Sequence, residues 1–126
     1  MQYKRDESFR YIFNSPIEGT IKILLEKNGE LFQTKTATIT LLDLSPGGLK
    51  FQTNLDLPIE RKDFSLEIHF SLVQDMDLMM LGKIVWKKIQ ASHYLYGFEA
   101  FEDKQTEDAV ITGLKAYRKQ LNSGTD

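Results

Sequence analysis

The chain has 126 residues, 41% hydrophobic and 27% charged, with a net charge of −2. That is one globular domain's worth of chain, and the composition argues against wholesale disorder. The absence of cysteine excludes disulfides, thiolate zinc sites and a cysteine nucleophile, and the balanced charge means that any basic site must be local.

The N-terminus, Met1-Gln2-Tyr3-Lys4-Arg5-Asp6-Glu7, has no apolar stretch after its charges, so a signal peptide is not expected. No run approaches the ~20 apolar residues of a membrane-spanning helix. A cytoplasmic protein is the expectation. Gly19 to Lys27 is β-rich, with Ile21, Ile23 and Leu25 on one face. Asn28-Gly29 follows, a hairpin signal, because both residues tolerate the positive φ of a type I′ turn.

Leu31 to Leu44 alternates, Thr36, Thr38 and Thr40 against Ala37, Ile39 and Leu41. It is long for one strand and is expected to bend or bulge. Ser45-Pro46-Gly47-Gly48 is a turn, Leu49 to Leu55 is extended again, and Asp56-Leu57-Pro58 breaks it. Phe64 to Phe70 has the cleanest period of two. Phe64, Leu66, Ile68 and Phe70 face a core, and Ser65, Glu67 and His69 face water. Met76 to Gln90 and Tyr94 to Phe101 are the last extended segments.

The period then changes. A helix is expected from Thr106 to Asn122, capped by Thr106, with Glu107 and Asp108 at its positive end. Val110, Leu114, Tyr117 and Leu121 form one apolar stripe; Lys115, Arg118 and Lys119 lie toward the other end, and Gly124 can terminate it. The stripe can pack on the strands or pair with another protomer in a homodimer. About six strands and one terminal helix point to a mostly β fold, a small six-stranded antiparallel β-barrel with one C-terminal α-helix.

Two local patterns carry chemistry. Asp43-Leu44-Ser45-Pro46-Gly47-Gly48 has the form Asp-x-Ser-x-x-Gly between two strands. Asp and Ser set short polar groups beside a tight turn, and the glycines let backbone approach a ligand. The same residues also suit a hairpin corner that satisfies its own backbone. Upstream, Lys4, Arg5 and Arg10 are interleaved with Tyr3, Phe9 and Tyr11. Arginine can grip a phosphate with two parallel bonds and stack on a base; a solvated chain end is the alternative.

Together these residues resemble the PilZ family of small bacterial β-barrel domains. Phe9-Arg10-Tyr11-Ile12-Phe13-Asn14-Ser15-Pro16 leads into Gly19-Thr20-Ile21, and Leu49-Lys50-Phe51 follows the glycines. Gly82-Lys83-Ile84-Val85-Trp86 and Tyr96-Gly97-Phe98-Glu99-Ala100-Phe101 look like the closing strands. The likeness spans Lys4 to Phe101. It implies a flexible arginine-bearing arm over residues 1–18, a barrel over 19–102 and a helix with tail over 103–126.

The resemblance further implies a stand-alone receptor for cyclic di-GMP, with no enzymatic activity and no cofactor. It would relay the ligand to an effector protein controlling motility, exopolysaccharide or biofilm. The implied ligand-binding residues are Arg5, Arg10, Asp43, Ser45, Gly47 and Gly48. One departure is plain. The family pattern is Arg-x-x-x-Arg, but four residues before Arg10 stands Asp6, and Arg5 is one further back. Either the arm absorbs one extra residue, or Asp6 and Glu7 repel a dianion and the domain is a ligand-blind interaction adaptor.

Other candidates are weaker. His69 and His93, the sole histidines, lack metal-ligand spacing. Ser45 has no base partner and no nucleophile elbow. Trp86 reads as core or barrel-mouth packing, with a stacking platform as the alternative. Met76, Met79 and Met80 read as gap-filling core or an adaptable partner surface. Lys83, Lys87 and Lys88 either guard a strand or add positive field. DNA or RNA binding is not expected, since it needs an aromatic and basic groove.

Overall fold

The computed structural model describes residues 10–61 and 63–123. Its strands are β1 (Tyr11–Lys27), β2 (Glu30–Gln33), β3 (Ala37–Ser45), β4 (Gly48–Thr53), β5 (Phe64–Ser71), β6 (Asp77–Ile89) and β7 (Tyr94–Ala100), followed by helix α1 (Lys104–Ser123). The sheet runs β1-β3-β4-β7-β6-β5, and β5 pairs back onto β1, so six antiparallel strands close into a barrel. β2 lies outside that circuit and pairs with the far end of β1.

Three boundaries differ from the sequence expectation. β1 begins at Tyr11, not Gly19, so the chain is already strand through Glu18. Tyr11 and Ile12 pair with Leu44 and Asp43 of β3, and the register breaks between Ile12 and Ile17. Pro16, which cannot donate to a ladder, falls in that break. Secondly, Leu31 to Leu44 is two strands. At the corner Thr34 donates its N–H to Ile23 O at 3.0 Å, and its hydroxyl accepts the Ile23 N–H at 2.9 Å. The Asn28-Gly29 turn is as expected, with φ of 53° and 80°.

The third difference is the helix start. Asp103 caps it, accepting the Gln105 N–H at 3.1 Å and the Thr106 hydroxyl at 2.9 Å. Asp103 precedes Thr106 and its carboxylate reaches the free amides first, so Thr106 serves as a donor inside the first turn. The helix also runs on to Ser123, which leaves its last turn without a basic residue.

The core is the barrel interior: Ile21, Ile39, Leu41, Leu44, Leu49, Phe51, Leu66, Ile68, Met80, Tyr96 and Phe98 are all essentially inaccessible. Of the methionines, Met80 fills this core while Met79 points outward, as strand alternation requires. The Tyr96 hydroxyl donates to Leu55 O at 2.6 Å and accepts the Leu57 N–H at 2.7 Å, tying the β4–β5 connection across the barrel end. Burial pushes its phenol pKa up.

Two one-residue bulges set which side chains face outward. Leu41 pairs with Phe51, but Asp43 pairs with Lys50, so β3 carries one extra residue at Leu42. Likewise Ile84 pairs with Phe98 but Trp86 with Gly97, an extra residue at Val85 in β6. A one-residue slip exchanges the faces of everything beyond it. Leu44 therefore enters the core while Asp43 and Ser45 turn to the outer face. Trp86 turns outward too, and Lys87 turns in.

At that inner position Lys87 bonds to Asp56 and to Leu57 O at 2.9 Å. Its ammonium lies 5.1 Å from the Tyr94 ring centre and 5.8 Å from that of Tyr96. The Asp56 hydrogen bond holds its pKa above the ordinary lysine value.

α1 packs against β6 and the start of β1. Val110 and Leu114 are fully buried, whereas Leu121 is 45% exposed, so the stripe is consumed by the barrel and runs off its end. The barrel thus covers the stripe at Val110 and Leu114. Tyr117 meets Tyr11 at 5.7 Å and Phe13 at 5.6 Å, both edge-to-face, and those two meet at 5.2 Å. Tyr117→Ala opens this three-ring contact. It should cost about 2–4 kcal/mol in urea unfolding, and a change below about 0.5 kcal/mol would mean the rings do not hold the helix.

Candidate functional site

The site is built where β1 starts, β3 ends and β7 ends. β3 and β4 are joined by Pro46-Gly47, and Ser45 pairs with Gly48 across the corner. The Gly47 carbonyl accepts the Ala100 N–H at 2.9 Å, and Gly48 pairs with Glu99, so the corner is fastened to β7. The Ser45 side chain is fully buried and its hydroxyl donates to Gly48 O at 3.3 Å. In this respect the corner does satisfy its own backbone.

Asp43 behaves differently. Its carboxylate is fully buried and receives Arg10 from the residue just before β1. Arg10 donates both Nε, at 3.0 Å, and Nη2, at 2.6 Å, to Oδ2. Burying a carboxylate is costly unless a cation and hydrogen bonds meet it, and here both do. The Arg10 side chain stays 33% exposed. It is thus held by a rigid strand and presented to solvent at the corner.

The outer face then continues across the barrel. In register, Asp43 lies beside Lys50, Lys50 beside Gly97, and Gly97 beside Trp86. Partners in an antiparallel ladder point to the same face, so these side chains form one row. Gly97 is required for it. A Cβ there would stand 2.0 Å from Trp86 Nε1, so the indole lies directly on the glycine backbone. Trp86 is 39% exposed and is not core packing. The neighbouring row holds Ser45, Gly48, Glu99 and Lys83.

The six residues expected at the site divide as follows. The structure brings Arg10, Asp43, Ser45, Gly47 and Gly48 together; Arg5 lies outside the described residues. Of the three lysines, Lys83 is on the outer face near the corner, Lys88 pairs with Leu95 farther along, and Lys87 is spent inside. Lys50 was not singled out as a site residue. The signal for it was its place two residues after Gly48, on the same face of β4. His69 faces outward, 3.2 Å from Glu67. No cluster of metal-ligating side chains exists among the described residues.

A model of the PilZ domain matches residues 3–116. The chain belongs to the PilZ domain family. Among solved structures, the crystal structure of the PilZ domain of CeSA from a cellulose-synthesizing bacterium is similar. It is 17% identical, the match covers 82% of this chain and 92% of that one, and the TM-score is 0.48. No match to a curated protein was found. In this PilZ domain the Asp-x-Ser-x-x-Gly corner and the arginine before the first strand meet through the Arg10–Asp43 ion pair.

Trp86 is the single tryptophan, so its emission reports on this face alone. Gly97→Ala places a methyl group on the indole and should displace it, moving the emission toward that of a solvated indole. An unchanged spectrum in a folded variant would show that the ring does not rest on Gly97.

Proposed function

We propose that this PilZ domain is a receptor for cyclic di-GMP and that the outer row of Arg10, Asp43, Lys50 and Trp86 is its binding face. The observation that carries the reading is the Arg10–Asp43 pair at the glycine corner. The family supplies the ligand class, since PilZ domains are cyclic di-GMP receptors. The ligand is a dianion with two guanine faces, and the row offers a complementary set: cations for phosphate and an open ring for a base.

The roles follow from the chemistry. A guanidinium has five N–H groups, more than one carboxylate oxygen can accept, and Arg10 turns its partly exposed side to the phosphate. Asp43 fixes the arginine's orientation and offers a carboxylate to a guanine edge. Ser45 closes the corner, and Gly47 and Gly48 keep it low enough for a ligand to lie across it. Lys50 adds charge beside Asp43. Trp86 provides a face for a guanine, a contact worth about 1–3 kcal/mol per base. Arg5, from the preceding segment, supplies a second phosphate contact.

The ligand state would be read by a partner protein, with motility, exopolysaccharide or biofilm as the output and the cytoplasm as the place. No described helix is long and apolar enough to cross a membrane. The chain acts as a binding module and not as an enzyme.

Calorimetric titration with cyclic di-GMP, with GTP as control, tests the reading while Trp86 emission is followed. Saturable heat and a change in emission are expected for cyclic di-GMP only. Arg10→Lys keeps the charge opposite buried Asp43 and loses the paired geometry, so affinity should fall about tenfold with the fold intact. Arg10→Ala is a poorer probe, because it takes the cation away from a buried carboxylate, a change that costs about 3–5 kcal/mol. If folded wild type takes up no cyclic di-GMP, the receptor reading fails and the ligand-blind adaptor replaces it.

A further inference from the structure

We infer that the outer edge of β2 pairs with the same edge of a second copy of this chain, making a two-fold dimer at the end of the barrel opposite the Arg10 corner. Among the described residues, β2 is bonded on one side only, to β1. Every other strand has neighbours on both sides within the closed circuit. An open edge is a template for another strand, and proteins usually blunt it with lysine, proline or a bulge. Glu30-Leu31-Phe32-Gln33 is short but carries no lysine, proline or bulge. Its one charge, Glu30, is opposite Lys27 of β1. Leu31 is 61% and Phe32 49% exposed.

The hydrogen-bond phase of β2 settles what can pair. Lys27 and Glu30 flank the two-residue turn, and Thr34 donates its N–H to Ile23 O. In an antiparallel ladder bonded pairs alternate, so Glu30, Phe32 and Thr34 direct their backbone groups toward β1. Leu31 and Gln33 therefore direct theirs outward. A two-fold axis perpendicular to the sheet keeps side chains on their own face, which allows only pairings of like parity.

Pairing centred on Phe32 meets both conditions. Leu31 of each copy exchanges two backbone bonds with Gln33 of the other, and Phe32 stands against its own copy at the close, non-bonded position. Glu30 falls opposite Thr34, so no like charges meet. The arrangement is isologous and closes on itself, consuming the free edge without building a fibre. Arg10 and Lys27 stand at opposite ends of β1, and the inference does not rest on the proposed ligand.

The absence of cysteine allows a direct test in the full chain. Non-bonded partners lie about 4.5 Å apart at Cα, within disulfide reach. Phe32→Cys should cross-link to itself under a mild oxidant and give a species of twice the 14.6 kDa chain mass. Ile89→Cys, at a more accessible position (74% exposed), should remain monomeric in the same conditions. Separately, Leu31→Pro removes an outward N–H and leaves the β1 ladder intact. In sedimentation velocity wild type should show a concentration-dependent dimer that Leu31→Pro loses while keeping its melting temperature. Cross-linking of both cysteine variants alike, or of neither, would overturn the proposal, as would a wild type that stays monomeric or a Leu31→Pro protein that still dimerises.

Discussion

The extra residue at Leu42 in β3 decides what the corner of this barrel can do. A strand has a side-chain period of two, so Asp43 would by default share the interior face of Leu41. There it would be a carboxylate in a hydrocarbon core, at a cost no nearby partner could offset. The bulge moves it one step. Leu44 takes the interior place, and Asp43 and Ser45 face outward at the turn. The bulge at Val85 does the same for Trp86. Without both slips Asp43, Lys50, Gly97 and Trp86 would not share a row. Bulges weaken a ladder locally, and their placement beside a site is a common use of them.

The second constraint is the Arg10–Asp43 pair. Asp43 is inaccessible and Arg10 is partly open, so the pair is asymmetric. The carboxylate meets the arginine out of solvent, while the arginine side chain stays partly exposed. Its position is set from behind. Tyr11 and Phe13, just after it, lock into Tyr117 of α1, and Ile12 pairs with Asp43 itself. The terminal helix is thus part of what aims the arginine. A residue far along the chain acts on the site through packing and not through contact.

The barrel also separates its two ends by chemistry. At the corner end, polar and charged groups face outward around glycines. At the other end, Lys87, Tyr94 and Tyr96 meet the exposed Asp56 in a knot at the barrel mouth that holds the β4–β5 connection, and β2 projects from β1 with apolar side chains exposed.

Much of this was legible in the sequence. The alternation of Phe64 to Phe70, the Asn28-Gly29 turn and the helical stripe of Val110 and Leu114 reflect local periodicity, which any segment carries without its neighbours. The Asp-x-Ser-x-x-Gly corner and Arg10 were legible as a motif. What the chain could not state locally was register. The length of Leu31 to Leu44 announces a bend or bulge, and one is found at Leu42, but nothing local places it there, and Ile84-Val85-Trp86 reads equally well as uninterrupted alternation. The sequence alone therefore reads Trp86 as core or barrel-mouth packing, leaves the face of Lys87 open, gives no role to Lys50, and starts β1 too late because its first residues are held by Tyr117, far away in sequence. Periodicity is a property of one strand. Which face a residue takes after a bulge is a property of two, and only the paired sheet decides it.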